Sequence, residues 1–176
     1  MTQIANSTFS QWLDQFRPTG FPNGIETQGI TKLAVSYQLT SAQLLALQTT
    51  AVTLVPAPVT SNIPAPPNGY LFYPTALEAE YVYNTTAYTI GNADNAFQIE
   101  YVGKSTALLS MLVTGLVDQT AVTVARNSVT SPGSKIAKAN CANLGLEVKL
   151  IGTTPALTLG DGKVNLYLEY NVYCLF

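Results

Sequence analysis

Apolar and polar residues alternate along most of the chain from about residue 31 onward. The alternation is clearest from Lys163 to Leu175, where one face carries Val164, Leu166, Leu168, Tyr170 and Val172. Successive side chains of a strand point to opposite faces, so this period of two predicts a long strand. Ala76–Tyr83 shows the same pattern, with Glu78 and Glu80 together on a polar face.

Other strand-like segments follow one another at short intervals, and the predicted helices are very short. The segments are Leu33–Tyr37, Ala51–Val55, Tyr70–Tyr73, Phe97–Val102, Ala107–Val113, Ala121–Ala125, Leu144–Ile151 and Ala156–Leu159. A short helix is predicted within Thr40–Gln48, capped by Thr40 or Ser41. Pro56–Pro67 and Asn127–Gly133 are predicted loops, and Gly160-Asp161-Gly162 predicts a hairpin turn between the last two strands.

This succession predicts the fold class. Short strands without helical crossovers are typical of an all-β protein with antiparallel pairing. We expect an antiparallel β-sandwich of jelly-roll type over residues 31–176, preceded by a short N-terminal helical arm over residues 1–30.

The predicted arm carries its own apolar stripe. Its residues stand at helical spacing and would share one face of a short helix that Pro18 ends: Phe9, Trp12, Leu13 and Phe16. A helix this short is not stable alone and must dock on something. The stripe packs either on its own domain or on a neighbouring subunit, and these four residues are the candidate interaction site.

The composition restricts the possible functions. Of the 176 residues 47% are hydrophobic and only 10% are charged, with a net charge of −2 and no histidine. Nucleic-acid binding is disfavoured, because phosphate contacts need clustered Lys and Arg. The absence of histidine excludes His-dependent triads and His-containing zinc sites. A surface with so few charges favours a protein that is partly covered by neighbours, a homo-oligomer.

The candidate polar chemistry is sparse. Paired carboxylates such as Glu78 and Glu80 can serve acid–base chemistry or hold a cation, but these two are interpreted as part of a solvated strand face. Asn92–Asn95 is a polar turn without the glutamate of a calcium loop. Asp161 is assigned a role in turn geometry. The sequence therefore predicts no catalytic, metal-binding or cofactor-binding residue and no enzymatic activity.

Cysteines and tyrosines add two alternatives. Cys141 and Cys174 are interpreted as small apolar residues, the alternative being a single disulfide bridge. The ten tyrosines are interpreted as packing residues, the alternative being a sugar-stacking surface; the strand tyrosines considered for it are Tyr81, Tyr83, Tyr167 and Tyr173. No signal peptide and no bilayer-spanning apolar stretch is recognised, so synthesis in a cytosol and no membrane partner are expected.

Several segments resemble one family. Val35–Gln48 followed by Ala51–Pro58 is similar to the opening of small bacteriophage proteins that decorate or cement the capsid. Tyr70–Tyr73, Thr86–Gly91 and Gly160–Lys163 continue the resemblance, which covers about residues 31–176 and leaves the arm outside.

The resemblance implies a jelly roll on the outer surface of an icosahedral head, often as a homotrimer. The implied partners are the major capsid protein and other copies of this chain, and no catalytic residues are implied. The alternative function from the residues themselves is a carbohydrate-binding or head- or tail-fibre β-module of a virion.

Overall fold

The predicted alternation forms strands in the structure, a computed structural model that describes residues 30–57, 69–128, 141–152 and 156–174. The elements in chain order are β1 Ile30–Leu39, α1 Ser41–Ala46, β2 Val52–Val55, β3 Tyr70–Val82, β4 Thr89–Ile90, β5 Ala96–Tyr101, β6 Leu109–Leu112, β7 Thr123–Ser128, β8 Leu146–Ile151, β9 Leu157–Thr158 and β10 Lys163–Cys174. Among these described residues, no helix is long and apolar enough to cross a membrane.

The strands assemble into two larger sheets and one small one. The strand orders are β1-β10-β3-β7, β2-β8-β5-β6 and β4-β9. Every pairing between these strands is antiparallel. The prediction of an all-β antiparallel sandwich is confirmed.

The inner faces of the two large sheets form one core. On β10 the predicted apolar face is buried throughout, from Val164 to Val172 at every second residue. The buried Tyr101 satisfies its hydroxyl group by donating to Phe72 O at 2.8 Å. Phe72 also meets the Tyr170 ring edge-on, with ring centroids 5.5 Å apart. Each aromatic side chain of this kind buries a large area and contributes strongly to the core.

The third strand corrects one prediction. Tyr70–Tyr73 and Ala76–Tyr83, predicted as separate strands, belong to the single strand β3, which ends at Val82. Pro74 lies within β3 at the point where the register against β10 shifts between Glu169 and Tyr170. A bulge tolerates proline because one residue there is left out of the hydrogen-bond ladder.

The predicted hairpin at Gly160–Gly162 is wrong. β9 is only two residues long and pairs with β4, not with β10. β10 instead pairs along its length with β1 on one side and β3 on the other. These long strands offer β10 an apolar face to match its own, whereas β9 offers two residues.

The seventh strand starts and ends later than predicted. It covers Thr123–Ser128 instead of Ala121–Ala125, so that Asn127 and Ser128 are strand residues and not loop. Its pairing with β3 from Ala76 to Tyr81 explains the difference, because a free strand edge imposes extended structure on a polar segment.

Four connections meet at one end of the sandwich. Leu39 at the end of β1 pairs with Val164 at the start of β10. Val164 also pairs with Tyr81 near the end of β3, and Tyr81 pairs with Thr123 at the start of β7. We call this the four-connection end; its connections are residues 40–51, 83–95, 113–122 and the described part of 152–162, namely residues 152 and 156–162.

Candidate interaction surface

The candidate arm residues lie outside the described part of the chain. Phe9, Trp12, Leu13 and Phe16 all precede Ile30, where the description begins. Their role in docking remains a prediction.

The outer face of the first sheet carries the paired carboxylates. Glu78 and Glu80 are half-buried on β3. Glu80 accepts a hydrogen bond from Asn165 Nδ2 at 2.8 Å, and Asn165 Oδ1 accepts one from Gln38 Nε2 at 2.9 Å. This row of polar side chains crosses three strands, so Glu80 serves cross-strand bonding.

The same face carries an ion pair and an exposed ring. Arg126 on β7 lies 3.4 Å from the Glu169 carboxylate on β10. Tyr167 on β10, which is paired with β3 on one side and with β1 on the other, is 42% exposed. Tyr81 lies in the core with no exposed surface. The strand tyrosines therefore do not form one common surface.

The outer face of the second sheet holds a buried polar pair that the sequence analysis missed. Gln98 and Glu100 on β5 are almost fully buried, and the side-chain Nε2 of Gln98 donates to Glu100 Oε1. Glu147 on β8 lies directly opposite Glu100 in the register and accepts from the Gly103 amide at 3.1 Å. Apolar and polar residues alternate on β5, which is typical of a strand with one solvated face, whereas both faces of β5 are buried.

A cleft of about 510 Å³ opens beside this pair. Its lining includes Glu100, Glu147, Lys104 and Lys149. Two carboxylates opposed by two lysines form a mixed-charge wall with no preference for one sign of ligand. Among the described residues, no group of three or more His, Cys, Asp or Glu side chains is placed to hold a metal ion.

Asp161 organises the four-connection end. Its Oδ1 accepts from the Thr85 amide at 3.0 Å and the Thr86 amide at 2.8 Å. Its Oδ2 accepts from the Thr85 hydroxyl and from Asn84 Nδ2. The Thr85 hydroxyl and the two backbone amides hold the pKa of this carboxyl down at about 2, because they stabilise its charged form. Asp161 thus fixes the loop over residues 84–86 and does not close a hairpin.

Two glycines, Gly160 and Gly162, allow the loop that carries Asp161 to approach the core. Gly160 has φ +83°, and a Cβ there would lie 2.5 Å from the Tyr88 ring. Tyr88 in turn donates its hydroxyl to Gly162 O at 2.8 Å. Sequence spacing gave no indication of these contacts, since Tyr88 and Gly162 are 74 positions apart.

The polar turn at Asn92–Asn95 has a structural role. The Asp94 amide donates to Asn92 Oδ1 at 3.1 Å, as in an Asx turn. Asn95 is fully buried, and its Nδ2 donates to Ala156 O at 2.8 Å. The turn therefore ties the connection before β5 to the connection after β8.

Cys141 is buried, as expected of a small apolar residue. Burial raises the pKa of its thiol, which disfavours the reactive thiolate. The side chain of Cys174 is not among those described, so the bridge between the two cysteines stays untested.

Comparison with known proteins gives distant structural likenesses only. No protein-family model and no curated protein matches the chain. A chain of the Cyanophage Pam1 capsid asymmetric unit matches with 14% identity over 86% of this chain and 91% of that chain, at a TM-score of 0.40.

Two other solved structures match more weakly. For Cocksfoot mottle virus the identity is 8% over 90% of this chain and 94% of that chain, at a TM-score of 0.27. For Mud crab tombus-like virus it is 11% over 88% and 86%, at a TM-score of 0.26. TM-scores this low do not establish a shared fold, and no function follows from them.

Proposed function

We propose that this chain is a structural virion protein, without enzymatic activity, that decorates the outside of a bacteriophage capsid. It would stabilise the capsid by binding major capsid protein subunits and would be made in the host cytoplasm. The proposal follows from the strand order, the surface and the sequence resemblance, taken in turn below.

The strand order is the observation that carries the proposal. Two antiparallel sheets of four strands face each other, in the orders β1-β10-β3-β7 and β2-β8-β5-β6. The chain crosses from one sheet to the other at each of the four connections gathered at one end. This pattern supports a jelly roll, a double-sheet architecture used by viral capsid proteins.

The surface supports a life within an assembly. Only 10% of the residues are charged. A free monomer with so few charges has little protection against association, whereas a lattice protein covers part of its surface. The resemblance of residues 31–176 to capsid-decorating proteins points to the outer shell as that lattice.

Lectin-like binding is the second candidate, because jelly rolls also occur in lectins. Tyr167 is exposed on an open sheet face, and Glu78 lies directly opposite it in the register. An aromatic ring beside a carboxylate can stack on and hydrogen-bond to a sugar. A glycan array distinguishes the two candidates: binding that Tyr167→Ala abolishes would favour the lectin.

The decoration proposal is tested with shells assembled from the major capsid protein of the same genome. Purified full-length chain should bind them saturably, with a stoichiometry set by the icosahedral lattice, and should raise the temperature at which they disrupt. A chain that neither binds the shells nor changes that temperature would contradict the proposal.

We further propose a homotrimer, the state that the sequence resemblance implies. Light scattering of the full-length chain should give three times the monomer mass of 18.8 kDa. A monomer at every working concentration would exclude this state.

The N-terminal arm is proposed as an anchor on a neighbouring subunit. Burying each of its large apolar side chains would contribute roughly 1.5–3 kcal/mol before the cost of ordering. Trp12→Ala should therefore weaken shell attachment and leave the melting temperature of the isolated protein unchanged. A lower melting temperature with unchanged attachment would mean that the arm packs on its own domain.

A further inference from the structure

Exposed apolar side chains occur in the connections at one end of the sandwich. Of the six large apolar side chains that the described residues expose, three lie in the four connections: Leu45, Val122 and Leu159. The other three lie on strands: Val124 and Tyr167 share the outer face of the first sheet, and Leu112 lies on the exposed face of β6. Single exposed apolar residues on strands are normal, whereas three in connections that meet at one end indicate an interaction surface.

Hydrogen bonds between the connections hold this end in one arrangement. Gln48 donates to Gly152 O at 3.2 Å and accepts from the Ala156 amide at 3.1 Å. The Tyr88 amide donates to Val117 O at 3.1 Å. Together with Asp161, these bonds link all four connections. A surface ordered before binding loses less entropy when a partner docks.

Leu159 is the most exposed of these three residues and has an unusual backbone. It is 68% exposed, and its φ is +54°. Left-handed backbone is unfavourable for residues with a Cβ, and for a large side chain it is rare. An apolar side chain that is presented to solvent at a cost in strain is typical of a site that makes contact elsewhere.

The charge of this end restricts the kind of protein surface that it can bind. Its four connections contain three carboxylates and no Lys or Arg: Asp94, Asp118 and Asp161. The exposed Lys163, which directly follows the last connection, reduces the excess from three negative charges to two. Two copies meeting end to end would bring like charges together, which is unfavourable. A surface that is apolar at its centre and basic at its rim is complementary.

We infer that the four-connection end docks on a protein surface with an apolar centre and a Lys- or Arg-rich rim. Resting on the proposed function, this inference assigns that surface to the capsid shell. The exposed side chains of Leu45, Val122 and Leu159 supply the central contact, and the carboxylates meet the basic rim.

The test uses full-length variants and shells assembled from the major capsid protein alone. Leu159→Asn removes the apolar side chain and suits the left-handed backbone, so that the protein should melt no lower than wild type. Val122→Thr keeps the β-branched shape and replaces one methyl group with a hydroxyl group. Tyr167→Thr is the matched control, an exposed apolar residue away from this end.

The double variant Leu159→Asn/Val122→Thr should bind shells about tenfold more weakly than wild type, while Tyr167→Thr binds as wild type does. Asp94→Asn should weaken binding at low salt, because it removes one charge facing the basic rim. Binding that is unchanged in the double variant would overturn the inference and leave the decoration proposal intact.

Two other outcomes separate the claims. If the double variant loses self-association but binds shells normally, and Asp94→Asn strengthens self-association, then this end joins copies of the chain and the inference is overturned. If the wild-type protein itself fails to bind shells, both the proposed function and this inference are wrong.

Discussion

Asp161 joins two loops whose contact residues are 75 positions apart in sequence, Thr86 and Asp161. Its carboxylate receives four hydrogen bonds from residues 84–86 and needs its negative charge to accept them all. Stability that depends on this charge must depend on pH.

Lowering the pH should therefore remove the contribution of Asp161. The pKa of this carboxyl is about 2 in the folded protein, against about 3.9 for an unfolded Asp. Because the pKa of this carboxyl is lower in the folded than in the unfolded protein, its charge stabilises the fold at pH values above the unfolded pKa. This stabilisation disappears as the pH falls from about 4 to about 2. Urea midpoints should show wild type more stable than Asp161→Asn near neutral pH, with the difference shrinking over that range.

Asp94→Asn is the control for this pH series, since Asp94 lies exposed in a neighbouring turn. A difference between wild type and Asp161→Asn that stays constant down to about pH 2 would show that the charge of Asp161 is not what stabilises the loops.

Gly160 and Gly115 separate crowding from backbone conformation. Their φ angles are +83° and +80°, but only at Gly160 would a Cβ strike a neighbour, the Tyr88 ring. Both substitutions to Ala incur the cost of left-handed backbone, and Gly160→Ala adds overpacking of about 1–3 kcal/mol. Equal unfolding free energies for the two variants would show that the ring moves aside freely.

Among the elements, the start of α1 is fixed by its N-cap residue, Thr40. The Thr40 hydroxyl accepts from the Gln43 amide, and Gln43 Oε1 accepts in return from the Thr40 amide at 2.9 Å, which completes a capping box. Thr40→Ala should lower the free energy of unfolding by about 1 kcal/mol. Thr50→Ala, at an exposed position beyond the helix, should change it much less; equal losses would contradict the role of the cap.

Local patterns predicted the elements better than their partners. The cap at Thr40 and the alternation on β10 depend on nearby residues, so the sequence contained the full signal. The pairing of β9 with β4 joins Thr158 to Thr89, and such distant pairings leave no local trace. Neighbouring strands likewise account for the polar residues of β7 and for the burial of both faces of β5. The hydrogen bonds of Asp161 form only when two loops distant in sequence come together in the fold.

At the scale of the whole molecule, the two ends of the sandwich differ. One end gathers four linked connections with exposed apolar side chains and three carboxylates. The termini of the sandwich domain lie toward the other end, where Ile30 pairs with Tyr173. A protein with such polarity can bind a surface by one end and leave the other free, which fits a decoration protein seated on a shell.

The central claim, a place on the outer capsid, is tested most directly by imaging virions of the phage whose genome encodes this chain. A cryo-EM reconstruction with icosahedral averaging should show the two-sheet fold on the outside of the shell, at every equivalent lattice position. Its four-connection end should face the major capsid protein. Virions whose outer surface lacks this density, or in which the chain is found only in the tail or in a few copies, would contradict the account.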